Sequence, residues 1–301
     1  EAYFSFAGDK LIFQSTRGNY PRDRIYIMNL DGTGVRLISP GKGVTTCGYF
    51  LLGDKEVIYS STHEYMDAPP PPPDYSKGYV WKLYPEYEIY RQSLDGGEPI
   101  NLTNSWGYDA EATVNPVTGE IIFTSDRTGD LELWLMNPDG SNPRQLTYTA
   151  GYDGGAYFNS DGTKIVWRAN RPKTREELEE YWRLLREEHV IKPMNLEIYV
   201  MNADGTGKVK LTDNGAANFA PFFTPDSKKV IFASNMADPG GRNFELYLVD
   251  IETKEIEQVT YSGEFESFPM FSPDGKKLVW ASNRNGITPR ETNIFIADWV
   301  E

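Results

Sequence analysis

A pattern of four strand-like segments recurs six times along this chain, and it constrains the fold more than any other feature. An aromatic-rich segment ends in a turn, as in Phe271-Ser272-Pro273-Asp274-Gly275, and a β-branched and aromatic segment follows, as in residues 277–283. A third segment is apolar at alternate positions and runs into Asp-Gly, as in residues 196–205, and a short fourth segment ends in Leu-Thr. Alternation bounded by such turns is typical of antiparallel strands joined as a meander.

The aspartate after each third segment gives the length of the repeat. These aspartates are Asp31, Asp95, Asp139, Asp204, Asp250 and Asp298, so the successive spacings are 64, 44, 65, 46 and 48 residues. Four-stranded propeller blades repeat about every 40–50 residues, so two of the intervals carry an insertion of roughly 20 residues. Repetition around a ring leaves only short, protected sheet edges. The sequence therefore predicts an all-β, six-bladed β-propeller built of four-stranded antiparallel blades.

The predicted propeller takes up residues 1–301 as a single domain. The predicted blades lie at about residues 1–40, 41–104, 105–149, 150–213, 214–262 and 263–301. The sixth repeat stops after its third strand, so we predict a three-stranded last blade in this chain and a closing strand just upstream of Glu1. One insertion, in blade four, is predicted to be helical.

The repeats resemble PD40 repeats, the WD40-like β-propeller repeats of the TolB family. The segments that carry the resemblance are residues 271–284, 122–127 and 201–205, and the repeated pattern extends over essentially the whole chain. The resemblance implies a six-bladed propeller in a bacterial periplasmic or secreted setting. It also implies a role as an envelope scaffold, a peptide-binding module or a domain attached to a hydrolase, because propellers of this kind serve all three.

The overall charge restricts the class of partner. The chain has 30 Lys and Arg against 44 Asp and Glu, a net charge of −14. This balance argues against nucleic acid and anionic membranes as partners and favours cationic ligands. No apolar run approaches the ~18 residues of a membrane span, and Cys47 is the only cysteine, which excludes an intramolecular disulfide. We expect a monomer that binds a peptide or protein, without nucleic acid binding or membrane insertion.

The long insertions are predicted to lie on one face of the propeller. Both join a second strand to a third, at residues 62–86 in blade two and 170–195 in blade four, and shorter expansions occur at 236–243 and 285–292. In a four-stranded blade these loops share a face with the connections between blades. Binding residues concentrate on loops held by a rigid scaffold, so this decorated face, around the tunnel mouth, is the predicted site.

Each insertion allows two interpretations. The blade-two insertion contains five prolines, residues 69–73, followed by aromatic residues that include Trp81. Its rings either line a wall for a ligand or pack the loop onto the rim. In the blade-four insertion, Thr174 and Glu177 form a capping box, and an apolar stripe follows at helical spacing. That helix is either a lid over the mouth or a cover packed on the surface.

Carboxylates are concentrated where the first strands begin. Converging carboxylates raise one another's pKa unless a cation neutralises them, and their oxygens suit Ca²⁺ or another divalent cation. Arginines at the ends of the second strands offer the alternative partner. The predicted ligand-binding residues are Glu1, His63, Trp81, Asp109, Glu111, Arg127, Asp153, Arg171, Glu266 and Arg284. Asp109, Glu111 and Asp153 are the predicted ligands if a metal binds.

Three functions follow from these observations. The first is a non-catalytic binding or scaffold propeller that recognises a peptide, a protein segment or a cation at the acidic tunnel mouth. The second is a metal-dependent hydrolase or lyase that uses His63 with Asp109, Glu111 or Asp153. The third is the non-catalytic propeller of a larger hydrolase. The sequence has no Gly-x-Ser-x-Gly, His-Glu-x-x-His, Walker or Cys-x-x-Cys motif, which favours the first.

Overall fold

Six antiparallel sheets follow one another along the chain in the order that the repeats predict. The structure is a computed structural model, and it describes residues 1–20, 22–69, 73–76, 78–288 and 291–300. Each sheet is a meander in which consecutive strands are neighbours, with only the insertions interrupting the sequence order. The prediction of a six-bladed propeller with one helical insertion is confirmed.

The first three blades each contain four strands. Blade one consists of β1 (Ala2–Phe4), β2 (Lys10–Ser15), β3 (Arg24–Asn29) and β4 (Arg36–Leu37). Blade two consists of β5 (Thr45–Phe50), β6 (Glu56–Ser61), β8 (Glu88–Ser93) and β9 (Ile100–Asn101), with β7 (Trp81–Lys82) in its insertion. Blade three consists of β10 (Asp109–Val114), β11 (Ile121–Ser125), β12 (Glu132–Met136) and β13 (Arg144–Gln145).

The last three blades include the helix and the predicted short blade. Blade four consists of β14 (Asp153–Phe158), β15 (Lys164–Asn170), β17 (Leu196–Asn202) and β18 (Val209–Lys210), with β16 (Val190–Ile191) in its insertion. Blade five consists of β19 (Asn218–Phe223), β20 (Lys229–Ser234), β21 (Glu245–Asp250) and β22 (Ile256–Gln258). Blade six has three strands, β23 (Glu266–Phe271), β24 (Lys277–Ser282) and β25 (Asn293–Asp298), as predicted.

The blades pack through apolar faces, and one cross-strand aromatic pair recurs in all six. In five blades a ring of the second strand lies opposite a ring of the third at centroid distances of 5.3 to 6.2 Å. In blade three the two aromatic residues lie opposite each other in the strand register. The pairs are Phe13–Tyr26, Tyr59–Tyr90, Phe123–Trp134, Trp167–Tyr199, Phe232–Tyr247 and Trp280–Phe295. Cross-strand aromatic pairs stabilise antiparallel sheets, so this pair explains the aromatic content of the repeat.

The helical insertion begins and packs as its sequence predicts. Helix α1 (Arg175–Arg183) starts at Thr174 with the predicted capping box and continues as a π-helical turn, Leu184–Glu188. Its apolar stripe includes the buried Tyr181 and Leu185. The Tyr181 hydroxyl donates to Oδ1 of Asp130 in blade three at 2.5 Å, which fixes the helix on the neighbouring blade. No helix in the described part of the chain is long and apolar enough to cross a membrane.

Candidate binding face and channel

A bulge in the first strands turns selected side chains towards the central channel. In blades two to six the pairing of first and second strands shifts register at the third residue of the first strand. The residues at this position are Cys47, Glu111, Gly155, Ala220 and Phe268, all with φ between 50° and 58°. Residues other than glycine rarely adopt such φ values, because this backbone conformation costs them about 1–3 kcal/mol. The bulge is therefore a repeated, specified feature of the channel wall.

The channel itself is narrow. Its wall is formed by four of the bulge residues together with Glu1, Tyr3, Tyr157 and Arg168 among others. These side chains leave a cavity of about 20 Å³ for the centres of water molecules. A volume of this size holds roughly one water molecule.

Glu111 is the centre of a buried polar cluster in this channel. Its carboxylate accepts hydrogen bonds from the Tyr152 hydroxyl at 2.8 Å, the Thr124 hydroxyl at 2.9 Å and the Gly155 N–H at 3.1 Å. The guanidinium group of Arg168 pairs with the same carboxylate and also donates to the Tyr152 hydroxyl at 2.8 Å. Glu111, one of the predicted site residues, is therefore neutralised from within the propeller.

Arg168 is a residue that the sequence analysis missed. It lies in the middle of β15, opposite Gly154 of β14. A Cβ atom on Gly155 would come within 2.2 Å of the Arg168 guanidinium group, and one on Gly154 would meet the Tyr152 hydroxyl at 2.3 Å. The two glycines therefore leave the space that Arg168 and Tyr152 fill. An arginine inside a strand, opposite a glycine pair in the innermost strand, is the sequence signal that could have revealed it.

Trp81 covers this cluster from the decorated face. Its ring centroid lies 5.0 Å from the guanidinium carbon of Arg168, in a cation–π contact, and 6.0 Å from the ring of Tyr152. Trp81 is held there because β7 pairs with β16, so that the insertions of blades two and four join in a two-stranded sheet. Lys82 Nζ adds a hydrogen bond of 2.6 Å to the Glu188 carbonyl. The predicted site residue Trp81 thus covers the cluster as part of the sheet that the two insertions form together.

Burial raises the pKa of several acidic groups in the channel wall. It raises the pKa of the Glu1 carboxyl and raises the pKa of the Cys47 thiol well above its usual range. The Tyr157 hydroxyl donates to that of Tyr3 at 2.5 Å, and burial raises the pKa of both phenols. Cys47 is consequently a protonated, small apolar side chain at neutral pH and a poor nucleophile.

The remaining predicted carboxylates pair with the predicted arginines within each blade. Asp109 accepts from Arg127 at 2.9 Å, Asp153 from Arg171 at 2.6 Å, and Glu266 from Arg284 at 2.7 Å. All three carboxylates are buried. Tryptophan N–H groups add a second bond, from Trp167 to Asp153 at 2.6 Å and from Trp280 to Glu266 at 2.5 Å. The structure therefore brings six of the predicted residues together as three internal ion pairs.

Two of the three blades without such a pair support a structural role for these ions. In blade five the first strand begins with Asn218 instead of an acid, and Met236 stands where the arginine stands elsewhere. In blade two the same positions are Thr45 and His63. An acid is present only where its arginine is present. This matched substitution is visible in the sequence, and it follows from the high cost of an unpaired buried charge.

The described contacts of His63 are with other residues than these carboxylates. Its Nδ1 atom is 2.9 Å from the Ser61 hydroxyl, and its ring centroid is 4.2 Å from that of Tyr90. Partial burial lowers the pKa of its imidazole, so the ring is neutral at pH 7. Among the described residues, no three His, Cys, Asp or Glu side chains form a group that could hold a metal. The ligand-binding and metal-binding roles of the ten residues stay predictions.

A second buried polar pattern was also missed by the sequence analysis. Third strands in blades two to five carry a buried glutamate as their first or second residue, and a threonine just after the fourth strand donates to it, as Thr212 does to Glu197 at 2.5 Å. In blade three, burial and the adjacent charge of Asp153 raise the pKa of Glu132 to about 8. Burial raises the pKa of Asp153 as well, and the hydrogen bonds that Arg171 and Trp167 donate to it oppose that rise. Glu132 therefore retains its proton at neutral pH.

The comparison with protein families agrees with the repeat. The family model described as TolB beta propeller domain, PD40, matches residues 189–298. TolB from Acinetobacter baumannii has a similar structure, with a TM-score of 0.67 over 98% of this chain. The chain is a six-bladed β-propeller, and its residues 189–298 are similar to the TolB beta propeller domain. It is 19% identical to the Acinetobacter protein and spans 62% of its length.

Other solved structures share the fold of this propeller. The putative TolB from Agrobacterium tumefaciens has a TM-score of 0.64 and 16% identity, over 100% of this chain and 90% of its own. An oligogalacturonate lyase in complex with manganese has a TM-score of 0.54 and 14% identity, over 99% of this chain and 88% of its own. No curated protein matched the sequence. Identities this low show the fold and carry no activity with them.

The exposed aromatic side chains of the described residues all belong to the decorated face. In the described part of the chain, six aromatic residues are exposed: Tyr65, Tyr75, Tyr79, Trp106, Tyr148 and Tyr261. Each lies in a loop between second and third strands or in a connection between blades. Among the described residues, the exposed large apolar side chains of the opposite face are all aliphatic, such as Val117 in a turn between first and second strands.

Proposed function

We propose that this chain is a non-catalytic binding propeller that recognises a peptide or protein segment on its decorated face. The observation that carries the proposal is the restriction of every exposed aromatic side chain of the described residues to that face. Aromatic residues are enriched in protein interfaces and in their energetically important positions. The net charge of −14 favours a partner with basic residues through long-range attraction.

The rings form two groups with defined geometry beside the tunnel mouth. Tyr65 and Trp106 meet edge to face at 6.2 Å, and Trp106 is 70% exposed. Tyr75 and Tyr79 are stacked at 6.0 Å in the blade-two insertion. Rings that already contact one another lose little side-chain entropy when a partner binds, which supports their use as anchors.

The channel supports a scaffold role for the acidic residues. Asp109, Asp153 and Glu266 are used in ion pairs, and the channel admits about one water molecule. A cation at the acidic mouth, as the sequence predicts, is tested by the metal content of the purified protein and by melting with added Ca²⁺, Mg²⁺ or Mn²⁺. The metal-dependent hydrolase or lyase alternative requires a stoichiometric metal that is lost in Asp109→Asn with Glu111→Gln. A periplasmic or secreted location belongs to the same proposal and rests on the resemblance of the repeats.

The binding test uses an array of short synthetic peptides rich in Lys and Arg, with Glu-rich counterparts. We expect the basic peptides to bind, and we expect Trp106→Ala and Tyr65→Ala to weaken binding by about tenfold each. Val117→Ala, an exposed apolar residue on the opposite face, is the matched control and should leave binding unchanged. Equal binding of every peptide to wild type and Trp106→Ala would show that the aromatic face is not the site.

A further inference from the structure

Blade five lacks the arginine or histidine that the other five blades carry at one position. This position lies just after the second strand, two residues beyond the one that pairs with the start of the first strand. From blade one to blade six its residues are Arg17, His63, Arg127, Arg171, Met236 and Arg284. In four blades the guanidinium carbon lies 4.9 to 5.6 Å from the rings of the cross-strand aromatic pair. In blade two the His63 ring takes this place against Tyr90. Only in blade five is the position neutral and aliphatic.

The aromatic pair itself is retained in blade five. Phe232 and Tyr247 lie with ring centroids 6.0 Å apart, as in the other blades. Among the described residues, no cation lies over either ring. The Met236 sulfur is 3.9 Å from Nδ2 of Asn214, on the side of blade four. Blade five therefore keeps the surface on which an arginine stacks but has no arginine of its own for it.

A pocket of about 310 Å³ opens at this place on blade five. It is lined by Ser234, Asp238, Asn243, Glu245, Gln258 and Tyr261, with smaller neighbours. Ser234, Glu245, Tyr247 and Gln258 share one face of the sheet, because Ser234 pairs with Glu245 and Tyr247 pairs with both Phe232 and Gln258. The pocket therefore lies on the same face of the blade as the aromatic pair.

The Tyr247 hydroxyl is a buried donor with nothing to donate to. Tyr247 is 4% exposed, and its hydroxyl has no hydrogen-bond partner among the described residues. The equivalent tyrosines of blades one and two do have partners: Tyr26 donates to the Arg17 carbonyl at 3.3 Å, and Tyr90 donates to Glu64 at 2.9 Å. Glu245 and Tyr261, which line the pocket, both act electrostatically on the Tyr247 phenol. A buried unpaired hydroxyl is unfavourable and points to a missing partner.

The charge of the pocket is negative and is not balanced within blade five. Glu245 accepts from the Gly263 N–H at 2.6 Å and the Thr260 hydroxyl at 2.5 Å, which hold its carboxylate in place. Neither Glu245 nor Asp238 forms an ion pair with a described residue. Two carboxylates beside a ring pair form a site for a planar cation that stacks and donates hydrogen bonds together.

We propose that this blade-five pocket binds an arginine side chain of the partner, which supplies from outside the cation that four of the other blades carry themselves. The guanidinium group pairs with Glu245 and Asp238, and the aliphatic part of the side chain packs against Tyr261. Arginine is preferred to lysine because its planar group stacks on rings, as it does in four blades of this chain. The proposal rests on the proposed function, since it names one residue of the peptide or protein partner.

The test measures binding of N-acetyl-arginine amide to the whole chain by NMR titration. The comparators are the citrulline amide, which has the same shape without the charge, and the lysine amide. We expect the arginine probe to bind at least about tenfold more tightly than either. Asp238→Asn and Tyr261→Ala should each weaken it by several-fold, and Glu257→Gln, an exposed carboxylate on β22, is the matched control. Equal binding of arginine and citrulline, or of arginine and lysine, would overturn the proposal.

A filled-pocket variant gives an independent readout. Met236→Arg combined with Asn218→Asp recreates the pair of blade three, so we expect loss of probe binding with an unchanged or higher melting temperature. Retained probe binding in this folded variant would contradict the proposal. If basic peptides depend on Trp106 but not on Asp238 or Tyr261, the proposed function stands and the arginine pocket fails. If the arginine probe binds at blade five while no peptide depends on Trp106, the aromatic face fails instead.

Discussion

The guanidinium group of Arg168 in blade four pairs with the carboxylate of Glu111 in blade three, inside the central channel. Both side chains are almost completely shielded from solvent, and the Tyr152 hydroxyl bonds to both. The pair therefore joins two blades at the axis, where Trp81 of the blade-two insertion covers it. Three blades thus meet in one polar cluster, and its integrity can be measured.

Arg168→Met should destabilise the chain by about 3–5 kcal/mol, because it leaves the Glu111 carboxylate buried and unpaired. The free energy of unfolding from urea denaturation checks this value. Arg168→Met with Glu111→Gln should recover a large part of the loss, since no buried charge then remains. Equal losses in the single and double variants would contradict the pairing as the cause.

Blade three can be converted to the residues of blade five. Arg127→Met alone should cost about 3–5 kcal/mol, because Asp109 keeps a buried charge. The double variant Arg127→Met with Asp109→Asn copies Met236 and Asn218, so its loss should be clearly smaller than that of Arg127→Met. A double-mutant cycle on unfolding free energies measures the coupling. Additive losses would show that the two side chains act independently.

The buried carboxyl groups predict a fall in stability as the pH rises. The pKa of Glu132 is about 8 in the folded chain against 4.5 for a free glutamate, and that of Glu88 is about 7. Between pH 4.5 and pH 8 the folded state therefore binds more protons than the unfolded state, so the unfolding free energy contributed by Glu132 decreases across this window.

Thermal melts from pH 5 to pH 8 test this dependence. Glu132→Gln mimics the protonated acid, so its melting temperature should fall less than that of wild type over the window. Glu187→Gln, at an exposed glutamate of the insertion, is the control and should follow wild type. Parallel curves for wild type and Glu132→Gln would exclude Glu132 as the titrating group.

Cys47 should react slowly with thiol reagents in the folded state. Burial raises the pKa of its thiol well above the usual value, and the channel around it is narrow. At pH 8 we expect labelling by a disulfide reagent on the order of 100-fold slower than in the chain unfolded by guanidinium, because only the thiolate reacts. Comparable rates in the two states would contradict a buried, protonated thiol.

The sequence by itself determined the number of blades, the three-stranded last blade and the helix. These features depend on local signals, namely alternating apolar residues, Asp-Gly turns and the capping box of Thr174 with Glu177. Such signals can be recognised in the sequence because each extends over only a few residues. The acids and arginines of the first and second strands were also found, since they occupy fixed places in the repeat.

Only the tertiary structure decided how these charges are used. Asp109 could face a ligand or Arg127, and the choice depends on distances between strands that the repeat does not encode. Arg168 and Glu132 were missed because their partners, Glu111 and Asp153, lie in a neighbouring blade. The pairing of β7 with β16, which places Trp81 over the channel, joins segments more than 100 residues apart in sequence. Such contacts form between blades and between insertions when the chain folds, and no single repeat contains them.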